Sequence, residues 1–246
     1  MTALLWRVFW PAAILPKRRF CTYLAPPWTD GKLEQIEPET AADHVSFTDQ
    51  LSYLFPQQLF WRQHTNVAEF NKQLALLCRD LCKQPLQGGG RQSTGDLFAR
   101  DAPVLAGLKQ LISTALEPFV ERVTSQLMVP TTQKMSPVLR GWATILGQGD
   151  HVAPHLHRDR LVTGTYYAQV PGSGDGSGHD VGRLVIEHPV SEATMATTPS
   201  PLIAQHAIDP RAGLLVMYPA YLTHHVTPLR SQGERIAISF VCSLTS

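Results

Sequence analysis

No stretch of this 246-residue chain approaches the roughly 20 consecutive apolar residues that a bilayer-spanning helix needs, which argues against a helical membrane protein. An excess of either charge is also missing. The 21 Lys and Arg stand against 20 Asp and Glu, and no basic run outside the N-terminus makes up the difference. Without such a field, bulk electrostatic binding of nucleic acid is not expected. Cysteine is scarce as well: Cys21, Cys78, Cys82 and Cys242 are too few and too scattered for the framework of a small secreted domain, and are read as reduced thiols. Cys78 and Cys82 lie four apart in an expected helix, a spacing that suits half of a zinc site. No second Cys or His pair of matching spacing accompanies them, so two semi-buried helix residues are the simpler reading.

One further absence is local. From Met1 to Thr29 there is no acidic residue, while Arg7, Lys17, Arg18 and Arg19 are interleaved with Leu4, Leu5, Trp6, Val8, Phe9, Trp10, Ile14 and Leu15. That mixture suits a mitochondrial presequence better than a secretory signal, whose apolar run Arg7 would interrupt. A mitochondrial address is therefore expected, with the cytoplasm as the alternative. Ala25 to Asp43 is rich in Pro, Glu and Thr without hydrophobic periodicity and reads as a linker. The expected organisation is an extension over 1–46 and a folded domain over 47–246, with helices within 66–128 and a β-rich part over 136–245.

What is present is ordinary for a globule: 43% apolar and 17% charged residues. Val67 to Lys83 places Val67, Phe70, Leu74, Leu77 and Leu81 at three- and four-residue steps, which predicts an amphipathic helix ended by Pro85 and Gly88-Gly89-Gly90. A second helical pattern runs from Ala102 to about Leu127, with Pro118 expected to break or kink it. From Val138 onward the chain becomes short β-rich runs: VLRGWATIL, RLVTGTYYAQV, GRLVIEH, PLIAQHAI, GLLVMYP and ERIAISFVC. Two helices followed by six or more strands predict an α+β chain whose helices pack on one face of an antiparallel sandwich or barrel. The glycine-rich PGSGDGSGHDVG lacks the GKS/T ending of a phosphate-binding loop and reads as an exposed hairpin loop.

Five of ten histidines fall in two clusters: His151, His155 and His157 in GDHVAPHLHRDR, then His224 and His225 in MYPAYLTHHVTPL. In an extended segment residues two apart point the same way, so His155 and His157 project side by side, with Asp159 next in line. Such a pair joined by a third ligand from a distant strand builds the three-ligand face of non-heme Fe(II) oxygenases, although an HxH pair alone is more often a surface feature. Eleven residues past His224, Arg235 opens RIAISFV, where Ile236, Ile238 and Phe240 alternate with Arg235, Ala237 and Ser239. The alternation turns Arg235 away from the apolar core and toward any cavity holding the histidines. There its planar fork suits a carboxylate.

In this order the segments resemble the 2-oxoglutarate and Fe(II)-dependent oxygenases related to the prolyl hydroxylases. The family's tryptophan strand and GD turn, HxH, SGxYY, xDP, FPxxLxHxV and RISISF are matched by GWATILGQGD, HLH at 155–157, TGTYY at 163–167, EHP at 187–189, YPAYLTHHV at 218–226 and RIAISF at 235–240. Upstream, GGGRQSTGDL at 88–97 is similar to the family's glycine-rich segment before a helix. The resemblance spans about Phe47 to Ser243. It implies a double-stranded β-helix, a jelly-roll of cupin-like form with N-terminal flanking helices. It also implies Fe(II), 2-oxoglutarate as co-substrate, and hydroxylation of an unidentified protein side chain or small molecule with release of succinate and CO2.

Carried over position by position, the resemblance implies His155, His157 and His224 as metal ligands and Arg235 as the anchor of the 2-oxoglutarate carboxylate. His157 stands where the superfamily commonly has a carboxylate, which leaves Asp159 as a fallback ligand and His225 as a competitor of His224. Ala237 replaces a serine of the common pattern, so Tyr167 or Thr165 would supply that hydroxyl. Two other readings remain open. One is a β-sandwich binding module whose histidines are structural or hold zinc. The other is a cupin-like metalloenzyme that does not use 2-oxoglutarate, for which Arg235 would have no purpose.

Overall fold

Residues 57–125, 136–172, 181–189 and 205–245 are described in a computed structural model of the chain. The expected boundary near Phe47, the presequence and most of the glycine-rich loop lie outside these residues. Helix α1 spans Ala68–Leu81 and helix α2 spans Pro103–Ser125. The first turns Leu74, Ala75 and Cys78 inward at three- and four-residue steps. The second does the same with Leu105, Leu108, Ile112, Leu116 and Phe119. Pro118 does not break α2, which continues to Ser125. A proline inside a helix costs about 3 kcal/mol, but each fully buried Leu, Ile or Phe contributes about 1.5–3 kcal/mol. Leu116 and Phe119 on either side of Pro118 are both buried, so packing outweighs the missing hydrogen bond.

Helix α1 ends one residue before Cys82, which is extended and opens a strand. Both cysteines are buried, with the Cys82 thiol against the Ala143 carbonyl. Burial pushes the Cys78 thiol up to about 12 and that of Cys82 up to about 11, so they are neutral core groups rather than thiolate ligands. The correction to the sequence reading is that Cys82 caps the helix and is not part of it.

Among the described residues, eleven strands form two antiparallel sheets. They are β1 Phe60–Gln63, β2 Cys82–Pro85, β3 Arg91–Ser93, β4 Ser136–Leu146, β5 Val152–His155, β6 Val162–Gln169, β7 Leu184–Glu187, β8 Gln205–Ile208, β9 Leu214–Pro219, β10 His224–Val226 and β11 Arg235–Thr245. The larger sheet has the order β1-β9-β6-β11-β4-β3-β2 and the smaller β5-β10-β7-β8. From β4 onward the chain alternates between the two sheets in jelly-roll fashion, except that β7 and β8 follow one another as paired neighbours in the smaller sheet, and this is the double-stranded β-helix.

The central strand β11 shows how the large sheet serves two purposes. Ile236, Ile238, Phe240 and Cys242 join the core beneath the helices, together with Leu74, Leu108 and Ile112. The alternate set, Arg235, Ala237 and Ser239, faces the space between the sheets, where Ala237 packs with Tyr167, Val216 and Tyr218. Period-two alternation thus gives one strand a core face and a cavity face.

Gly164 lies on the helix-side face of β6, where a Cβ would come within 2.5 Å of the Phe240 ring and of the Val216 carbonyl oxygen. The second contact is backbone and cannot rotate away. Gly164→Ala is therefore expected to destabilise the fold by about 1–3 kcal/mol. Urea unfolding followed by circular dichroism tests this, and an unchanged midpoint would show that the strands separate at little cost.

Candidate metal centre

The short strands β5 and β10 pair antiparallel with His155 directly opposite His224. That register alone brings the two imidazole centroids to 4.3 Å. His157 lies two residues beyond β5 and is held there by its own backbone: its N–H donates to the Ala220 carbonyl, while the Ala220 N–H donates to Leu161. The loop after β5 is so strapped to the turn before β10. The His157 ring lies 5.1 Å from that of His155 and 5.2 Å from that of His224. One ring nitrogen from each of the three falls within 4.8 Å of the others.

Orientation is fixed by local hydrogen bonds. Nδ1 of His155 donates to the Ala153 carbonyl and Nδ1 of His224 to the Leu222 carbonyl, each at 2.9 Å. A carbonyl can only accept, so both protons sit on Nδ1 and both Nε2 lone pairs are free. This is the tautomer a metal ligand needs, with a backbone partner behind each ring. Trp142 of β4 meets His157 edge-on at 5.5 Å and Tyr218 of β9 meets His224 at 5.1 Å. Burial lowers His157 to about 4, with help from His155 and Arg160. Burial likewise lowers His224 to about 3, against the opposing hydrogen bond to Leu222. Both are neutral near pH 7 and ready to donate a lone pair.

The two fallback ligands are not brought to this cluster. His225 is on the opposite face of β10, where its Nδ1 lies 3.3 Å from the Glu187 carboxylate. One residue along a strand reverses the side chain, which decides between the adjacent histidines. Asp159 is exposed in a turn with φ 62°, past the end of β5, so the alternation that aligned it with His155 and His157 has stopped. Among the described residues the candidate centre is an all-histidine set.

The histidines line one end of a cavity of about 480 Å³, and Arg235 lines it as well. Arg235 is 3% exposed, and its Nε has no hydrogen-bond partner among the described residues. Its guanidinium lies over the Tyr167 ring at 4.8 Å. The Tyr167 hydroxyl is close enough for that cation to offset part of the burial that raises its pKa, yet it makes no well-directed hydrogen bond. Stacking of this kind is worth about 2 kcal/mol when desolvated, less than the several kcal/mol that burying an ion costs. The pocket is therefore short of an anion, and a carboxylate fits it.

Arg235 is placed by its neighbour. The Glu234 carboxylate accepts from Arg79 of α1 at 2.7 Å and from Arg91 of β3 at 2.9 Å, pinning the start of β11. Gly182 passes so close that a Cβ there would be 3.2 Å from Arg235 Cδ. Of the two hydroxyls expected to replace the missing serine, Thr165 lines the cavity, its oxygen 3.5 Å from that of Ser239, whereas Tyr167 lies beneath Arg235. Sequence reasoning did not nominate Thr144, Thr163, Tyr218 or Ser239 as wall residues. For three of them the signal was available, since Thr144 lies two residues from Trp142, Thr163 two from Thr165 and Ser239 four from Arg235 on their strands, whereas the strand of Tyr218 held no nominated residue.

Protonation of the metal-free cluster gives a pH test. An unfolded histidine takes a proton near 6.5, whereas His157 and His224 resist it until about 4 and about 3. The unfolded state thus binds more protons as pH falls below 6.5, and stability should decline from there down to those lower values. Urea unfolding of metal-free protein at pH 7, 5.5 and 4.5 is expected to show this decline, and His157→Gln should flatten it. An identical slope in that variant would mean that His157 does not contribute.

Residues 140–241 match the family model described as "Putative 2OG-Fe(II) oxygenase". No curated protein matches the chain. Among solved structures, a Pseudomonas putida prolyl-4-hydroxylase aligns with a TM-score of 0.52 at 17% identity, covering 77% of this chain and 94% of that one. A Trichoplax adhaerens prolyl hydroxylase, solved with a hypoxia inducible factor oxygen degradation domain peptide fragment, gives 0.51 at 17%, covering 75% and 83%. At such identities the structural likeness speaks for the fold, and the family match for the chemistry. The chain carries the double-stranded β-helix fold of these solved oxygenases, and its residues 140–241 match the 2OG-Fe(II) oxygenase family model.

Proposed function

We propose that the protein hydroxylates its substrate with Fe(II) and 2-oxoglutarate, His155, His157 and His224 holding the metal and Arg235 the co-substrate. The observation that carries this reading is the buried Arg235, its Nε unpartnered among the described residues, on the wall of the cavity that the three histidines line. Fe(II) with 2-oxoglutarate supplies oxidising power by coupling decarboxylation of the co-substrate to oxygen transfer from O2, leaving succinate and CO2. The chain's own work is to bind, orient and exclude water. The histidines leave coordination positions open because no fourth His, Cys, Asp or Glu joins them among the described residues. Arg235 offers parallel N–H groups to a carboxylate, and Thr165 and Ser239 line the space between with hydroxyls. Leu184, Val226 and Trp142 supply apolar wall, which lowers the local dielectric and strengthens the polar contacts.

A metalloenzyme acting without 2-oxoglutarate is the second reading, favoured by the all-nitrogen donor set. It leaves Arg235 unexplained. The relatives named for prolyl hydroxylation lend support to a peptide-borne substrate, without identifying the residue modified. For the N-terminal segment we retain the mitochondrial address on its acid-free, basic and apolar composition. Fusing residues 1–46 to a fluorescent reporter tests it, and a diffuse cytosolic signal would remove it.

Anaerobic reconstitution with Fe(II), then exposure to O2, should give succinate from 2-oxoglutarate even without the substrate. Arg235→Ala should weaken 2-oxoglutarate binding by about 2–5 kcal/mol with Fe(II) binding in its absence little changed, since Arg235 is not a ligand. Arg235→Lys should recover part of the loss, because an ammonium lacks the planar fork. Equal 2-oxoglutarate binding by wild type and Arg235→Ala, both loaded with metal, would favour the second reading.

A further inference from the structure

The inner face of the large sheet continues outward past the metal centre. Along β4, Thr144 and Trp142 line the catalytic cavity, and Arg140 follows on the same face. Along β11, Arg235 and Ser239 line the cavity and Val241 follows. Beyond Trp142 this face forms the floor of a second, more open cleft of about 540 Å³, whose other side is the loop after β5 with Leu156, Arg158 and Arg160. Trp142 and His157 border both spaces.

The outer cleft is electropositive. Arg140, Arg158 and Arg160 line it against one acid, Asp96. That carboxylate is engaged by the backbone N–H groups of Phe98 and Gly141, at 3.1 and 3.0 Å, and caps the turn at Leu97–Ala99. Arg160 donates to the Ser243 hydroxyl at 2.7 Å. Arg140 and Arg158 are exposed and form no ion pair among the described residues. Asp159 lies between two of the arginines in sequence but does not line the cleft. In a chain of net charge +1, three arginines lining one cleft that shares Trp142 and His157 with the histidine cavity are a local concentration rather than a share of a general field.

We propose that this cleft receives the anionic flank of a peptide substrate, carrying Asp, Glu or a phosphorylated residue, while the residue to be hydroxylated enters the cavity past Trp142. The proposal rests on the oxygenase reading and names its substrate class. A strand rises about 3.3 Å per residue, so the two-residue steps from Thr144 through Trp142 to Arg140 span about 13 Å. An extended peptide has the same rise, which places its acidic residues roughly two to four positions from the reactive one. Guanidinium groups match carboxylate and phosphate in planar, paired fashion. Single-stranded nucleic acid is the weaker match, because successive bases ask for successive aromatic platforms and the cleft offers Trp142 alone.

The test measures fluorescence anisotropy of labelled, capped peptides of about eight residues, alternating alanine with glutamate, phosphoserine or glutamine, beside an oligonucleotide of like length. The full-length protein is loaded with Fe(II) and 2-oxoglutarate under anaerobic conditions. The glutamate or phosphoserine peptide is expected to bind about tenfold more tightly than the glutamine peptide at low salt. Added salt should erode the preference. The comparison of glutamate with phosphoserine separates the two sources of charge. Arg140→Ala with Arg158→Ala should abolish the preference while uncoupled succinate formation stays at the wild-type level, which also shows that the variant is folded. Equal binding of acidic and neutral peptides, a preference that survives in the double variant, or tighter binding of the oligonucleotide would overturn the proposal. Absence of succinate from the wild type would count against the oxygenase reading alone, since peptide binding is read separately.

Discussion

The pairing of β5 with β10 is the constraint on which the rest of the site depends. With His155 opposite His224, two imidazoles from segments almost seventy residues apart share one spot, and neither strand has further freedom to set their spacing. These strands are short, four and three residues, so their register needs outside support. It comes from the pairing of β10 with β7 on its other edge, and from the hydrogen bonds that tie His157 to Ala220 and Ala220 to Leu161. A one-residue slip of β10 would exchange His224 for His225, directing the first toward Glu187 and breaking the cluster. The cost of a slip is thus a whole donor set rather than one contact.

The large sheet shows the complementary arrangement. Its helix-side face is closed by α1 and α2, and the Tyr166 hydroxyl, which points into that core, is satisfied by the buried Asn71 of α1 at 2.8 Å. The cavity-side face carries a buried polar atom, the Arg235 Nε, with no hydrogen-bond partner among the described residues. A core that satisfies the hydroxyl of Tyr166 while leaving the Tyr167 hydroxyl and the Arg235 Nε without a hydrogen-bond partner among the described residues places a satisfied and an unsatisfied polar group at adjacent positions of one strand pair.

Much of this was legible in the sequence wherever period and chemistry coincide. Ile236, Ile238 and Phe240 against Arg235 gave β11 both of its faces, and Val67 to Lys83 outlined α1 to within two residues at its C-terminal end. The short strands β1, β2 and β3 were not legible. Three or four residues cannot establish an alternation, and CKQP reads as the end of a helix until its pairing with Arg91–Ser93 is known. Pro118 misled because propensity is local while the burial of Leu116 and Phe119 is tertiary. The choice between His157 and Asp159 turned on where β5 stops. The left-handed φ of Asp159 marks where the strand alternation ends and leaves that carboxylate away from the three histidines, and no pattern of residue types announces it.

The all-histidine cluster also changes the charge balance of the cavity. A carboxylate among the ligands would cancel one of the two charges of a ferrous ion, whereas three neutral imidazoles cancel none. The protein adds positive charge through Arg235 and lines the cavity with no Asp or Glu among the described residues, while Glu187 lies against His225 and Glu234 against Arg79 and Arg91. In an apolar cavity such an excess is expensive unless an anion is bound. In the proposed reading, the three histidines would hold the metal and Arg235 a carboxylate of 2-oxoglutarate, so that one dianion would meet both demands. The same excess continues outward, past Trp142, into the cleft of Arg140, Arg158 and Arg160. The histidine cavity and the outer cleft are successive stretches of one sheet face that carries Arg235 and then Arg140, the inner one suited in the proposed reading to a small dianion and the more open outer one to a chain.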